Sequence, residues 1–355
     1  MARRTQQTLW SRSVQRTLKA MARTAIRAGS TAVKRSLKEA LKQSPAPVLR
    51  VIPDTPGVSK RSPAKRKPVN DASWSTGIAV GSVGARRYRL YTPPGVKRAE
   101  RLPLVVMLHG CWQDAEGLAA SSQMNRITAR EHFFVLYPEQ DRLSNAQACW
   151  NWHDTRSGRA QGEAGTIDAA IDQVCLAHPI DVRRMALVGI SAGAGMAALL
   201  ATSHPERFRA IAMHSGIAPG VAHSSATALS AMRGRRVAST PLAPLPAGAN
   251  LPALLVIHGS ADHIVAPSNG AEAAQRWAAR VGAKAGKPRT VQRGARYPAT
   301  ITDYRSRGRL AATLCEIKGL GHAWSGGASG HAYSDPKGPD ASRMIWRFVA
   351  KQFAS

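Results

Sequence analysis

Short, unbroken runs of apolar residues, separated by mixed polar segments, mark most of the chain after its first fifth. Apolar runs of about four to eight residues are too short for a typical globular helix and are typical of strands covered on both faces. They predict buried strands at residues 102–108, 133–137, 184–188, 208–213, 254–259 and 310–317. Before them, Ile78 to Val83 and Arg87 to Tyr91 form a predicted hairpin within residues 77–92, ended by Pro93-Pro94-Gly95.

Segments with helical periodicity lie between the predicted strands. They predict helices at residues 117–130, 163–177, 194–201, 268–282 and 341–353. Residues 217–250 are rich in Ala, Pro and Arg, and we expect them to be irregular. Because strand and helix alternate, the predicted class is α/β, with a mostly parallel central sheet and helices on both faces.

The first fifth of the chain has a different pattern. Residues 5–28 place Val14, Leu18 and Met21 on one face of a basic amphipathic helix, and residues 31–43 resume this pattern. Prolines and cations then crowd together, which predicts an extended linker. The predicted organisation is therefore a basic helical or disordered segment, a linker and one folded domain, at residues 1–43, 44–72 and 73–355.

The N-terminal segment also carries a large excess of positive charge. The whole chain has a formal net charge of +29, and residues 1–70 carry 17 Lys and Arg against two acids, Glu39 and Asp54. About half of the excess thus lies in one fifth of the length. Such a segment is attracted to polyanions, which predicts contact with nucleic acid, anionic lipid or an acidic granule surface. A solvated basic tail without a partner is the alternative.

The cysteines and the apolar runs bear on the compartment. Cys111, Cys149, Cys175 and Cys315 are too few for a disulfide scaffold, so we expect free thiols in a reducing cytoplasm. The first 28 residues lack the apolar core of a secretory signal. No run of about 18 apolar residues occurs, which predicts that no transmembrane helix is present.

A glycine-rich turn, Gly189-Ile190-Ser191-Ala192-Gly193, joins a predicted strand to a helix of small residues. The G-x-S-x-G pattern in this setting is a nucleophile elbow, in which a strained turn lifts the serine hydroxyl above the end of the sheet. The glycines allow strand and helix to approach closely. Ser191 is therefore the predicted nucleophile.

A serine nucleophile needs a base and an acid that orients the base. In this architecture the order along the chain is Ser, Asp, His, and each partner follows a strand. Asp262 follows the strand at 254–259, and His322 follows the strand at 310–317. Asp262 has the alternative role of a turn or cap residue, and His258, His263 and His331 are weaker alternatives for the base.

The oxyanion of a tetrahedral intermediate needs two preorganised N–H donors. We expect one from Ala192 and the other from Cys111, which follows the strand at 102–108. Cys111 acts here through its backbone, while His109 shapes the loop. This chemistry requires no metal or organic cofactor. Trp150, Trp152 and Trp324 are candidate walls of the substrate pocket, and core aromatics are an equally strong alternative.

Several motifs in combination resemble the esterase family of polyhydroxybutyrate depolymerases. They are Leu108-His109-Gly110-Cys111 with Gln113, Cys149-Trp150-Asn151-Trp152, Gly189 to Met196, and Gly321-His322-Ala323-Trp324 with the glycines that follow. The resemblance covers roughly residues 77–350. It implies an α/β-hydrolase fold, a Ser-Asp-His triad and attack on carboxylic esters.

The resemblance also narrows the expected substrate. It implies hydrolysis of short-chain polyhydroxyalkanoate, with feruloyl and acetylxylan esters as alternatives within the family. Because secretion signals are not seen and residues 1–70 are basic, we expect a cytoplasmic, granule-associated depolymerase; an extracellular address is the alternative. A non-catalytic granule- or nucleic-acid-binding protein on a hydrolase scaffold is the hypothesis from another class.

Overall fold

The computed structural model describes residues 72–218, 220–235 and 251–354. The predicted basic segment at 1–43 and nearly all of the linker at 44–72 lie outside these residues. The strands are β1 (Ser73–Gly81), β2 (Gly84–Thr92), β3 (Leu102–Leu108), β4 (Phe134–Pro138), β5 (Ile180–Ile190), β6 (Ala210–His214), β7 (Ala253–Gly259), β8 (Lys284–Ala285), β9 (Arg289–Val291), β10 (Ala299–Ser306), β11 (Arg309–Ile317), β12 (Trp324–Ser325) and β13 (Ser334–Asp335).

The helices that the described residues form alternate with these strands. They are α1 (Ala115–Ser122), α2 (Met124–Glu131), α3 (Arg159–Ala177), α4 (Ala192–Ser203), α5 (Ser225–Met232), α6 (Ser268–Ala279) and α7 (Ala341–Phe353), with a 3₁₀ turn at Pro205–Arg207. In this part of the chain, no helix has the length and apolar character that a membrane crossing requires.

One sheet of 11 strands forms the centre, in the order β1-β2-β4-β3-β5-β6-β7-β11-β10-β8, with β9 also paired to β10. Strands β4, β3, β5, β6, β7 and β11 are parallel. Their carboxyl ends therefore share one edge, where loops can assemble a site. This confirms the predicted α/β class.

Strand β3 shows why the central runs are apolar throughout. Val106 and Leu108 face a core formed with α3 to α6, whereas Val105 and Met107 face a second core formed with α1, α2 and α7. Successive side chains of a strand point to opposite faces. Because helices cover both faces, the β3 residues from 103 to 108 are all buried, and a polar side chain there would need a hydrogen-bond partner inside the core.

Three element predictions needed correction, and five strands were not predicted. The predicted helix at 117–130 is two helices, because Gln123 adopts a left-handed conformation with φ 56° and ends α1. The first hairpin strand is Ser73–Gly81 rather than 78–83. The segment expected to be irregular at 217–250 contains α5, started by a Ser224–Thr227 capping box. The stretch before the last predicted strand forms β8, β9 and β10, and the short β12 and β13 follow β11.

Candidate active site

Ser191 occupies a strained turn between β5 and α4. Its φ of 55° and ψ of −120° lie outside the regions that side-chain-bearing residues ordinarily adopt. Glycine is required on both sides: a Cβ on Gly189 would lie 2.2 Å from the Gly193 carbonyl oxygen, and one on Gly193 would lie 2.2 Å from that of Leu108. The predicted elbow geometry is therefore present.

His214, at the end of β6, holds the backbone of the elbow. Its carbonyl accepts a hydrogen bond from Ser191 N–H at 2.9 Å. Its ring stacks on Trp324, with centroids 5.2 Å apart, and its Nε2 accepts from Ser325 N–H at 3.1 Å. His214 thus ties the elbow to the loop that carries His322. The sequence analysis missed this residue, although its place at the end of a buried strand was a usable signal.

Asp262 and His322 are brought together from two adjacent strands, β7 and β11. Nδ1 of His322 lies 2.8 Å from Oδ2 of Asp262, and both side chains are almost fully buried. Oδ1 of Asp262 accepts from Ile264 N–H and Val265 N–H, at 3.0 and 2.8 Å. The turn role considered for Asp262 therefore coexists with a contact to the imidazole.

The electrostatics of this pair favour an ionised carboxylate. Burial by itself raises the pKa of Asp262, but hydrogen bonds from His258, His322 and Val265 and the charge of His322 outweigh it and hold the pKa well below its ordinary value. An ionised Asp262 is only an acceptor, so the proton of His322 resides on Nδ1. Nε2 is then left with a lone pair that can accept a proton.

Ser191 and His322 share the same edge of the sheet, but the described residues show no hydrogen bond between Ser191 Oγ and the imidazole. The hydrogen bond between Asp262 and His322 is formed, whereas the one between Ser191 and His322 is not. In enzymes without a bound substrate such contacts are commonly long and tighten as substrate binds. The loop position of His322 is set by Ser325 N–H on His214 and by Ser325 Oγ, which donates to Pro339 O at 2.6 Å.

The loop after β3 passes directly beside the serine. A Cβ on Gly110 would lie 3.4 Å from Cβ of Ser191. Gly110 N–H donates to Gln113 Oε1 at 3.0 Å, and Trp112 N–H donates to Gln147 O at 2.7 Å. Cys111 N–H, between them, has no hydrogen-bond partner among the described residues, which leaves it available as a donor.

Ala192 offers the second available donor. It is the first residue of α4, so its N–H has no acceptor within the helix. The helix N-terminus also places partial positive charge at this point. The two N–H groups named from the sequence are thus the ones that the surrounding hydrogen bonds leave unused.

The prediction that all four cysteines are free thiols required a correction. Cys111 and Cys149 form a disulfide across 38 residues, with Cα atoms 4.2 Å apart, whereas Cys175 and Cys315 are free. The expectation of four free thiols was wrong for the first pair. The Trp112–Gln147 hydrogen bond shows that the two loops run side by side, a proximity that the sequence separation conceals.

We expect removal of this disulfide to reduce both stability and turnover. Closing a loop of this length contributes about 4 kcal/mol in the chain-entropy account, so Cys111→Ala/Cys149→Ala should lower the free energy of unfolding by about that amount. The bond also anchors the Cys111 N–H, so kcat should fall by up to about 10²-fold. Urea unfolding and esterase assays measure the two effects. Cys175→Ala is the matched control, and equal losses in both variants would contradict the prediction.

The three tryptophans proposed as pocket walls are interior residues. Their exposed fractions are 0% for Trp150, 8% for Trp152 and 1% for Trp324. Trp152 packs so closely on α4 that a Cβ on Gly195 would lie 2.7 Å from its ring. Such burial leaves little ring surface for a substrate, so the structure supports the alternative of core aromatics.

Trp112 is the aromatic residue that the sequence analysis overlooked. It follows Cys111, has a φ of 65° and is 52% exposed. Its N–H donates to Gln147 O, and its side chain stays largely in solvent. Trp112 is therefore better placed than Trp150, Trp152 or Trp324 to touch a substrate at Ser191.

The alternative histidines lie elsewhere. His258 is buried beside Asp262, with its Nε2 3.0 Å from Val265 O and 3.5 Å from Oδ2 of Asp262. His258 therefore contacts the carboxylate inside the core rather than acting as the base. His263 and His331 are exposed. His109 is buried, and its Nε2 accepts from Gln140 N–H at 3.0 Å, which agrees with a role in shaping the loop.

Buried neutral histidines predict a loss of stability on the acid side. Burial, with the charges of His258 and His322, lowers the pKa of His214 to about 3, and burial lowers that of His109 to about 4. In the unfolded chain both titrate near about 6.5. Between about pH 6 and 4.5 the unfolded state therefore binds up to two more protons.

The free energy of unfolding should accordingly fall by up to about 2.7 kcal/mol for each pH unit lost in that range. Urea unfolding at several pH values measures this slope. Substituting the exposed His331 with Gln should leave the slope unchanged. A free energy of unfolding that stays constant from pH 6.5 to 4.5 would contradict the prediction.

Across the described ranges, no cluster of three or more His, Cys, Asp or Glu side chains is arranged to hold a metal ion. The polar groups at the site are instead those of acyl transfer: an elbow serine, an imidazole oriented by a carboxylate, and two unused N–H groups. With the sheet order described above, this arrangement defines an α/β-hydrolase.

The chain belongs to the family described as Esterase PHB depolymerase, whose sequence model matches residues 86–285. Poly(3-hydroxyalkanoate) depolymerase C of Paucimonas lemoignei is 34% identical over 184 residues, which cover 49% of this chain and 44% of that protein. The chain therefore spans less than half the length of this relative.

Other similar proteins are also esterases. Feruloyl esterase B of Neurospora crassa is 28% identical over 204 residues, covering 53% of this chain and 68% of that protein. The solved structure of an acetyl xylan esterase from Aspergillus awamori has a TM-score of 0.61 at 20% identity, covering 78% of this chain and 99% of that one. That structure supports the α/β-hydrolase fold of the described residues.

Proposed function

We propose that the chain is a serine esterase in which Ser191, His322 and Asp262 form the catalytic triad. The observation that carries this proposal is the 2.8 Å contact between His322 Nδ1 and Asp262 Oδ2, formed by loops that follow β11 and β7 at the edge where the elbow presents Ser191. A non-catalytic scaffold would not need a buried, ionised carboxylate that fixes one tautomer of an imidazole at the edge of the sheet where a strained serine lies.

The proposed reaction proceeds in two balanced steps. Nε2 of His322 takes the hydroxyl proton as Ser191 Oγ bonds to the ester carbonyl carbon, and the same proton then passes to the leaving alkoxide. The N–H groups of Cys111 and Ala192 hold the oxyanion of each tetrahedral intermediate. Water, deprotonated by His322, cleaves the acyl-enzyme to give the free acid and regenerate Ser191.

We propose short-chain polyhydroxyalkanoate as the ester substrate. Support comes from the 34% identity to a poly(3-hydroxyalkanoate) depolymerase and from the motifs around Cys111, Cys149, Ser191 and His322. The exposed Trp112 adds an apolar surface to the loop whose Gly110 lies next to Ser191, and such a surface suits an uncharged aliphatic polyester. Feruloyl and acetylxylan esters stay the alternatives, because similarity to a feruloyl esterase covers a comparable share of the chain.

Comparing initial rates on amorphous polyhydroxybutyrate, methyl ferulate and acetylated xylan tests the substrate assignment. We expect acid release from the polyester to be faster than acid release from methyl ferulate or from acetylated xylan. Faster turnover of methyl ferulate or acetylated xylan would assign the chain to the alternative. Activity on none of the three, with retained turnover of p-nitrophenyl butyrate, would reject all three substrates and keep the esterase.

Localisation and the role of residues 1–70 stay predictions. The basic charge favours adsorption to granules in the cytoplasm, whereas the Cys111–Cys149 disulfide favours the extracellular alternative, because disulfides persist in oxidising compartments. Alkylation of free thiols in intact cells, followed by mass spectrometry of the tryptic peptides, distinguishes the two compartments.

Deletion of residues 1–70 should weaken adsorption to native granules at about 0.15 M salt. Equal adsorption of the truncated and full chains would make this segment a solvated tail.

A further inference from the structure

A row of eight cations lies along the edge where the parallel strands begin, opposite to the edge that carries Ser191. Arg184 is half-buried and the others are exposed. The row, which we name the basic rim, consists of Arg101 before β3, Arg183 and Arg184 in β5, Arg209 before β6, Arg309 at the start of β11, Arg307 in the β10–β11 turn, Arg305 near the end of β10, and Lys284 in β8.

The sheet order makes these cations a line. From β3 to β8 there are six intervals between neighbouring strands, and at about 4.8 Å each they span about 29 Å. Direct contacts support the order at one end: Arg184 donates to Arg101 O, and Arg209 Nε donates to Arg183 O at 3.2 Å. At the other end, Arg305 pairs in register with Lys284.

The charges of the basic rim are only partly compensated. Asp181 forms ion pairs with Arg184 at 2.7 Å and Arg183 at 3.8 Å. At the opposite end, the nearest acid on β10, Asp303, pairs with Arg289 instead. No acidic side chain within the described residues forms an ion pair with Lys284 or with the three arginines from 305 to 309. A surplus of positive charge therefore faces solvent along this edge.

The composition of the rim indicates what it would bind. Seven of its eight members are arginines, whose planar guanidinium groups fit phosphate oxygens in a bidentate manner. The row contains no aromatic side chain on which unpaired bases could stack. Exposed aliphatic side chains near β5, Leu176 and Val182, occur only at one end, so no continuous apolar face accompanies the charge for insertion into a membrane.

We propose that the basic rim binds the phosphate backbone of a double-stranded nucleic acid, without sequence preference. A linear array of phosphates matches a linear array of guanidinium groups, and contacts confined to phosphate carry no information about sequence. Because the rim and Ser191 occupy opposite edges of the sheet, binding leaves the ester site open. The proposal does not depend on the substrate proposed above.

The test compares variants of the full chain, so that any contribution of residues 1–70 is the same in each. The rim variant is Lys284→Gln/Arg305→Gln/Arg307→Gln/Arg309→Gln. Its matched control removes one lysine and three arginines that are exposed in loops on other sides of the domain, Lys318→Gln/Arg142→Gln/Arg156→Gln/Arg233→Gln. Fluorescence anisotropy with a labelled duplex of about 30 base pairs gives the association constant over a range of salt concentrations.

The rim variant should bind more weakly, and its plot of log K against log salt should be less steep by about 3 to 4, close to one for each phosphate that the variant no longer neutralises. The control should keep the parent slope, and the rim variant should keep the parent rate on p-nitrophenyl butyrate. Arg101→Gln/Arg183→Gln/Arg209→Gln provides an independent test, with a slope expected to be smaller by about 3.

Three results would overturn the proposal. The first is a parent-like slope in both rim variants. The second is an equal reduction of slope in the rim variant and the control, which would show that only total charge matters. The third is loss of binding to phosphatidylserine vesicles in the rim variants with an unchanged duplex slope, which would assign the rim to a lipid surface. Melting temperatures near the parent value establish that each variant is folded.

Discussion

Replacing Ser191 with Ala should reduce kcat for p-nitrophenyl butyrate by at least about 10⁴-fold, while KM changes little. The hydroxyl is the atom that forms the acyl-enzyme, and loss of a triad nucleophile leaves only the residual catalysis of the oxyanion hole and substrate binding. The fold should persist, since Ser191 Oγ makes no hydrogen bond within the described residues. Steady-state kinetics and far-UV circular dichroism measure the two expectations.

Ser203→Ala provides the matched control for this loss. Ser203 lies at the other end of α4, is exposed, and donates to Leu199 O at 3.0 Å. Its substitution should leave kcat within about twofold of the parent. Full turnover in Ser191→Ala would reject the proposed triad. It would favour a non-catalytic binding protein, with the measured activity coming from another source.

Replacing Asp262 with Asn should lower kcat by about 10⁴-fold through the tautomer of His322. An amide at this position can donate to Nδ1, which transfers the imidazole proton to Nε2, the atom that must accept the Ser191 proton. The side chain keeps its shape and its acceptor for Ile264 N–H and Val265 N–H, so the turn should survive. Kinetics at pH 8, together with the melting temperature, separates loss of chemistry from loss of structure.

Asp335→Asn is the control for this substitution. Asp335 also accepts from the N–H two residues further along the chain, that of Lys337, at 2.8 Å, but it touches no histidine. The control should keep parent activity. If Asp262→Asn retained a kcat within tenfold of the parent, Asp262 would be a turn residue alone, and His322 would require another orienting group.

Patterns that depend on neighbours in sequence predicted the centre of the molecule well. The β3 and α7 bounds agree with the structure, because an unbroken apolar run and a strongly amphipathic segment each define their own ends. The elbow was recognisable because its G-x-S-x-G pattern lies within five consecutive residues between a predicted strand and a predicted helix. Asp262 and His322 followed from the rule that side chains after parallel strands meet at one edge, and the structure brings these two into contact.

Features that depend on contacts between residues distant in sequence were missed, because a local pattern carries no information about such contacts. The break between α1 and α2 occurs at Gln123, a left-handed residue that is neither Gly nor Pro, so the sequence carried no helix-stop signal there. The Cys111–Cys149 disulfide and the burial of Trp150 both follow from how the loop after β4 folds against the loop after β3. The position of His214 at the end of a buried strand was a usable signal, but its contacts with Ser191 N–H and Ser325 N–H depend on distant residues.

The most direct test of the account is covalent titration with a p-nitrophenyl alkylphosphonate, followed by peptide mass analysis. Oγ of an activated serine displaces p-nitrophenolate and keeps the phosphonyl group, which mimics the tetrahedral intermediate. If Ser191 is the nucleophile, one phosphonyl group per chain should attach to Ser191, with parallel loss of esterase activity and no adduct in Ser191→Ala. An unlabelled Ser191 in an active preparation, or stoichiometric labelling of a different residue, would contradict it.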